Sequence, residues 1–344
     1  MKNRNNDLLT LDKFIEESLY NKKYGYYMKK NPFGEGGDFI TAPNISILFS
    51  EMIAIWIISF WEKLDRPKQF NLIELGAGNG EMMKILINTF NKFPQFKSSC
   101  KINILEKSDL LKKIQKANIK NTKIKWLNNL NELNSTPCIF IANEFFDALP
   151  VRQFVRDGNQ WRERCITVIE DTLAYGLTDA TPHAALAYRL ADTKQGDLVE
   201  TCAPAQAIAQ EIGHRINQNG GMALIIDYGK WRSLGDTLQS LKSHQSVAPL
   251  LHPGSADLTA HVDFEALAKD TPSAHTRPTD QGMFLERLGV SQRANQLAKS
   301  MQGSALTSHI AAHRRLTHPS EMGTLFKVMG FFPASAPPPP GLDI

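Results

Sequence analysis

From about residue 70 the chain alternates short, almost wholly apolar runs with stretches whose apolar positions recur every three to four residues. Residues 71–75 read as a buried strand, 81–91 as an amphipathic helix, 102–106 as a second strand and 109–117 as a second helix. A short third strand is expected over 123–126. The apolar run 138–142 makes a fourth strand, ending in Asn143 and Glu144. This strand-helix order predicts a parallel sheet covered on both faces. Residues 151–155 and 161–169 alternate like paired strands across Asp157, Gly158 and Asn159, which reads as a hairpin. A helix over 204–219 is stopped by Gly220 and Gly221, and the buried run 222–226 delivers Asp227 and Tyr228 to a loop.

Outside this alternation the pattern changes. Upstream lie a helix over 11–20, a loop rich in glycine and aromatics up to Pro43, and a long apolar helix from about 45 to 64. Past Gly229 the apolar runs shorten, and 324–332 resembles a late strand returning to the sheet. The expected organisation is an N-terminal helical cap and cleft loop over 1–66 and a doubly wound, mostly parallel α/β core over 67–229. An inserted or substrate-binding region then covers 230–320, after the Asp227 strand, and a returning strand with a proline-rich tail covers 321–344.

The strongest local signal is LIELGAGNGEMMKIL, residues 72–86, where a strand ends in Glu74 and a glycine-rich turn opens a helix. Gly76, Gly78 and Gly80 suit a backbone that turns tightly and approaches a ligand. The spacing is GxGxG, whereas a pyrophosphate site wants a further glycine inside the helix and no acid facing the anion. Glu74 instead suits a cationic ligand. Class I methyltransferases carry this E/DxGxGxG form, for a cofactor with an α-amino group and a sulfonium charge. Glu106, at the end of the second strand, stands where an acid binds ribose hydroxyls. Asn143, Glu144 and Asp147 of IANEFFDALPV fall at the carboxyl edge of the sheet, where ligands of open α/β sheets bind, and Asp227 ends another strand there.

Composition removes several alternatives. With 344 residues, 42% of them hydrophobic, the chain can bury a core. A formal charge of +4, from 39 basic and 35 acidic residues, gives no basic face for nucleic acid. The four cysteines, Cys100, Cys138, Cys165 and Cys202, form no CxxC pair, so no zinc ribbon or disulfide framework is expected. The residues before Phe14 contain no apolar core of a signal peptide, and the apolar run 52–61 is too short to span a membrane. Asp257, His261 and Asp263 are metal-ligand types, but their spacing does not put all three on one helix face, and no metal is expected. One feature is unexplained by folding physics: 19 of the 25 lysines precede Val151, while 12 of the 14 arginines and all nine histidines follow it.

Taken together, YGYYMKKNPFGEGGDFITAPNIS, LIELGAGNGEMMKIL, ILEKSDLLKKIQ, IANEFFDALPVRQF, IIDYG, GDTLQSLKSH, PGSADLTAHVDF, QGMFLERLG and RLTHPSEMGTLFKV resemble the MidA-like methyltransferases. That group includes the mitochondrial protein arginine methyltransferase required for assembly of respiratory complex I. The resemblance implies a class I fold with seven strands, S-adenosyl-L-methionine as cofactor, and an arginine of a complex I subunit as acceptor. It implies residence in the mitochondrial matrix for a eukaryotic member or the cytoplasm for a bacterial one. By position it also implies that Asp38, Thr41 and Pro43 line the cofactor cleft together with Glu74, Gly76, Gly78, Gly80, Glu106 and Asn143. Where the family has glutamate in TAPEIS this chain has Asn44.

For an arginine acceptor, Glu144 is the first candidate to hold the guanidinium, and Asp147 or Asp227 would complete the clamp and take the departing proton. Two other classes compete. A nicotinamide-dependent oxidoreductase shares the glycine turn but needs a phosphate-friendly one, and a non-catalytic assembly chaperone would keep cofactor affinity without methyl transfer.

Overall fold

A computed structural model describes residues 8–34 and 36–344; residues 1–7 of the N-terminal segment and Glu35 of the GEGGDF stretch lie outside the described residues. The central sheet runs, edge to edge, Ile124–Leu127, Cys100–Leu105, Phe70–Leu75, Cys138–Asn143, Gly221–Lys230, Phe326–Phe332 and Ala274–His275. The first five are mutually parallel. Phe326–Phe332 is antiparallel to its neighbour, so the late strand returns as the pattern predicts. Two-residue strands, Val262–Asp263 and Thr279–Asp280, add to the periphery.

Each central strand is buried along nearly its whole length, because helices cover both faces. Alternate residues sort into two cores. Leu72, Ile139, Ile141, Leu224, Ile226 and Val328 face the long helix Ile47–Lys63 and the helix Glu81–Phe90. Ile73, Phe140, Ala142, Ala223, Ile225 and Phe331 face the helix Ala203–Asn219 through Ala205, Ala209, Ile212 and Ile216. Local chemistry sets the helix starts: Ser46 Oγ accepts from Leu48 N at 3.2 Å, Ser108 Oγ accepts from Leu111 N at 3.2 Å, and Pro204 occupies the first turn of its helix.

The hairpin Arg152–Asp157 and Gln160–Ile169 is present, but it belongs to a larger antiparallel sheet that the pattern does not predict. Thr172–Leu177, Leu198–Thr201 and Leu9–Thr10 complete its five strands. Residues after the Asp227 strand build a small antiparallel sheet, Gln239–Lys242, Gln245–Val247 and Asp257–Thr259. A third apolar cluster ties these additions to the N-terminal helix Leu11–Tyr20. Leu11, Phe14, Ile15 and Leu19 pack with Tyr26, Tyr27, Leu111, Val151, Ile166, Leu238 and Leu258. That cluster roofs the carboxyl edge of the sheet.

Candidate functional site

Under this roof lies a cavity of about 400 Å³. Its lining brings together Gly76, Gly78, Leu105, Glu106 and Leu111 with Tyr20, Tyr27, Tyr228, Asp147, Asp257 and Thr259. Glu144 and Phe145 also line it.

The glycine turn has the conformation its sequence demands. Gly76 and Gly78 have φ of 66° and 53°, in the left-handed region. A side chain at Gly76 would come within 2.8 Å of the Phe145 ring, and one at Gly78 within 3.1 Å of Phe33. The turn is thus closed over by aromatics from two other segments. Gly80 does not line the cavity; it caps the helix Glu81–Phe90, packed on Gln115 and Ile119.

Two acids attend the turn. Glu106 faces the cavity with Oε1 accepting from Ser108 N at 2.8 Å and Oε2 from Gln115 Nε2 at 3.1 Å. Gln115 Nε2 also donates to the Gly78 carbonyl at 2.9 Å, coupling the acid to the turn. Burial raises the Glu106 pKa, against these hydrogen bonds. Glu74 lies beneath the turn rather than in the cavity wall. It is 2% exposed, its Oε2 has no hydrogen-bond partner, and burial with the Glu106 charge pushes its carboxyl up to about 8.

At the end of the fourth strand Glu144 has a φ of 50°, uncommon for a residue with a side chain, and its N–H donates to the Ile226 carbonyl at 2.9 Å. Its Oε1 accepts from Asn143 Nδ2 at 3.1 Å and Ala42 N at 3.4 Å; burial, then Asp147, pushes its pKa up to about 8. Asp147 is 6% exposed and its Oδ1 has no partner; burial raises its pKa to about 6, with the Tyr228 hydroxyl pulling it down.

Not every candidate residue reaches the cavity. Asp227 is fully buried and acts as a backbone anchor: Oδ2 accepts from Phe146 N at 3.0 Å and Asp147 N at 3.3 Å, and Oδ1 from Tyr228 N at 3.0 Å. It shapes the loop that presents Glu144 and Asp147. Asp38 accepts from Tyr26, from Lys30 and from Ser243 N, which pins the N-terminal loop to the small sheet. Thr41 and Pro43 are buried at the start of the short helix Ala42–Ile45, and Asn143 behind Glu144; the neighbouring Phe39 and Ile40 line the cavity instead. Asn44 accepts from Asn79 Nδ2 at 3.3 Å, so the residue replacing the family glutamate touches the glycine turn.

Tyr20, Tyr27 and Asp257 were not singled out as site residues by the sequence, apart from the metal-ligand type of Asp257, whereas Tyr228 of IIDYG lines the cavity as its expected place at a strand end suggested. The YGYY motif held the only signal for Tyr27. Among the described residues no cluster of ligand types could hold a metal.

A cationic amino-acid cofactor fits this donor set. The glycines keep side chains off the turn, Glu106 offers a carboxylate at the strand end, and the orphaned Glu74 oxygen lies beneath, on a carboxyl that burial keeps protonated up to about pH 8 and that a bound cation would ionise. A pyrophosphate does not fit. Asp12, Glu16, Glu106, Glu144, Asp147 and Asp257 line the cavity with Lys107 as the sole cation among its lining residues.

Residues 52–278 match the family model described as "Putative S-adenosyl-L-methionine-dependent methyltransferase". The chain is 32% identical to the mitochondrial protein arginine methyltransferase NDUFAF7 homolog of Drosophila melanogaster, over 93% of this chain and 80% of that one. It is 31% identical to its namesake in Homo sapiens, over 94% and 80%. A COG1565 superfamily member from Burkholderia thailandensis, solved with bound S-adenosyl-homocysteine, superposes with a TM-score of 0.81 at 25% identity, over 97% of this chain and 90% of that one. The glycine turn, the strand-end acids and these relatives converge: the chain belongs to the S-adenosyl-L-methionine-dependent methyltransferase family.

Proposed function

We propose that the protein methylates an arginine side chain of a protein substrate, a subunit of respiratory complex I. The observation that carries this reading is the cavity's excess of acid: six carboxylates and three tyrosines line it, with Lys107 as the sole cation among its lining residues. The mitochondrial relatives are named protein arginine methyltransferases. The client would then reside in the mitochondrial matrix, or in the cytoplasm of a bacterial host.

S-adenosyl-L-methionine supplies an electrophilic methyl group on a positively charged sulfur. Gly76, Gly78 and Glu106 would hold it, with Glu74 opposing its charge from below. What remains for the chain is to place a guanidinium nitrogen in line with that methyl and to exclude water, since geometry supplies much of the rate for such a displacement. Glu144 is proposed to grip the guanidinium in a charge-assisted hydrogen bond. The acceptor nitrogen gains a carbon and loses a proton, and Asp147 Oδ1, unpartnered and with its pKa near 6, is the proposed base. Asp227 contributes by fixing the loop.

Intact-mass proteomics of a strain with and without the protein should reveal arginines that lose mass in methyl steps. In single-turnover assays Glu144→Gln should slow methylation roughly tenfold to a hundredfold, the worth of one charged hydrogen bond, with S-adenosyl-homocysteine affinity little changed. Cofactor binding without transfer to any client would favour the non-catalytic chaperone. Unchanged turnover in the variant would remove Glu144 from the mechanism.

A further inference from the structure

We propose that Asp257, from the segment that follows the Asp227 strand, is a further carboxylate of the acceptor chamber: it joins Glu144 in holding the substrate guanidinium beside Asp147, the base, and Tyr27 orients it. The inference rests on the arginine reading above and names the residues that would enforce it.

Asp257 opens the strand Asp257–Thr259, whose sheet leans over the cavity and also lends Gln239 and Thr259 to its wall. Only 4% of Asp257 is exposed. Both of its hydrogen bonds fall on one oxygen: Oδ1 accepts from the Tyr27 hydroxyl at 2.8 Å and from Leu258 N at 2.9 Å. Asp147, on the loop after the fourth strand, brings an Oδ1 that is buried without a partner into the same cavity. Two acids from distant parts of the chain thus share one cavity. A buried carboxylate without a cation is costly, which makes the pair a receptor for one.

The chamber's shape favours a planar cation. Tyr20 and Tyr27 stack with ring centroids 5.8 Å apart and an interplanar angle of 25°, and Tyr228 adds a third aromatic. A guanidinium offers donors along its edge to two carboxylates and a flat face to such rings, whereas an ammonium offers a point charge. The other ligand-type residues of ADLTAHVDF are engaged elsewhere. The His261 ring packs edge-on against Tyr228 at 5.2 Å, and Asp263 caps the helix Phe264–Ala268.

Titratable groups near Asp257 are Tyr20, Tyr26 and Tyr27 of the N-terminal segment, Asp38 and Asp147. Burial, then the Asp147 charge, raises its pKa to about 7. An arginine is charged at any working pH, so its arrival favours the ionised acids and expels protons between about pH 6 and 7.

The test uses full-length protein saturated with S-adenosyl-homocysteine and two probes, N-acetyl-arginine methylamide and its uncharged citrulline counterpart. Calorimetry at pH 6.5 in buffers of different ionisation enthalpy gives affinity and proton release together. Wild type should bind the arginine probe, ignore the citrulline one and release protons. Asp257→Asn should weaken arginine binding roughly tenfold or more and reduce proton release, with S-adenosyl-homocysteine affinity held within about twofold. Tyr27→Phe, which keeps the ring and the carboxylate, should weaken binding by a smaller factor and serves if the aspartate variant does not fold. Equal binding of both probes by wild type, or unchanged affinity and proton release in the variants, overturns the inference. The proteomic comparison judges arginine methylation separately: methylated arginines alongside an indifferent Asp257→Asn would sink only this assignment.

Discussion

Glu74 carries two opposed obligations. Its Oε2 is buried and unpartnered, and its carboxyl is pushed up to about 8, so between about pH 4.5 and 8 the folded protein keeps a proton that the unfolded chain has released. Stability attributable to this group is therefore lost as the pH rises through that window. Glu74→Gln removes the loss. Without cofactor the variant should gain roughly 1 kcal/mol or more at pH 8 and little at pH 5, read from denaturant midpoints, while S-adenosyl-homocysteine affinity drops roughly tenfold. Equal stability of variant and wild type at pH 8 would refute the account. That Glu106 and Glu144 sit at strand ends was legible from sequence, since a buried apolar run must stop where polar residues begin. Which way each acid turns was not. Asp147 opens into the cavity, while Asp227, expected to end its strand, lies within it, because the strand runs on to Lys230, and spends Oδ2 on the backbone N–H groups of Phe146 and Asp147 and Oδ1 on that of Tyr228.

At the scale of elements, the GxGxG turn divides its work. Gly76 faces the cavity under Phe145, whereas Gly80 faces the helix Asp109–Asn118 and its C-terminal neighbour Ile119. Alanine at the two positions should separate ligand binding from stability. Gly76→Ala, with its new carbon 2.8 Å from the Phe145 ring, should displace that ring and lower cofactor affinity by an order of magnitude or more in calorimetry. Gly80→Ala, with φ at 83°, should cost about 1–2 kcal/mol of stability in denaturant titration and leave affinity nearly intact. Reversal of that pattern would mean the turn's roles are misassigned. The central strands and their helices were readable because each is long enough to show its period. The additions were not: Thr172–Leu177 is half exposed without clean alternation, and the strands of the small sheet have three or four residues. Their existence depends on partners elsewhere in the chain, which a local pattern does not contain.

For the whole molecule, the compositional break near Val151 is no structural seam. Cys138–Asn143, from the lysine-rich part, pairs along six residues with Gly221–Lys230 from the arginine-rich part, and Leu9–Thr10 pairs with Gln160–Ile169. Fragments 1–150 and 151–344 expressed separately should each lack a cooperative thermal transition, because each leaves a central strand with one bare edge; a cooperative transition in either alone would show that the halves are independent units. The same interleaving has a consequence in time. Gly221–Lys230 finds its parallel neighbour as soon as it is made, but its antiparallel neighbour begins at Phe326, about 95 residues later. At the usual pace of translation, about 5–20 residues per second, the apolar edge of that strand stays open for roughly 5–20 s on every ribosome. A nascent chain of this protein therefore spends seconds with a sticky strand exposed, and its yield in the cell should depend on what shields that edge until synthesis ends.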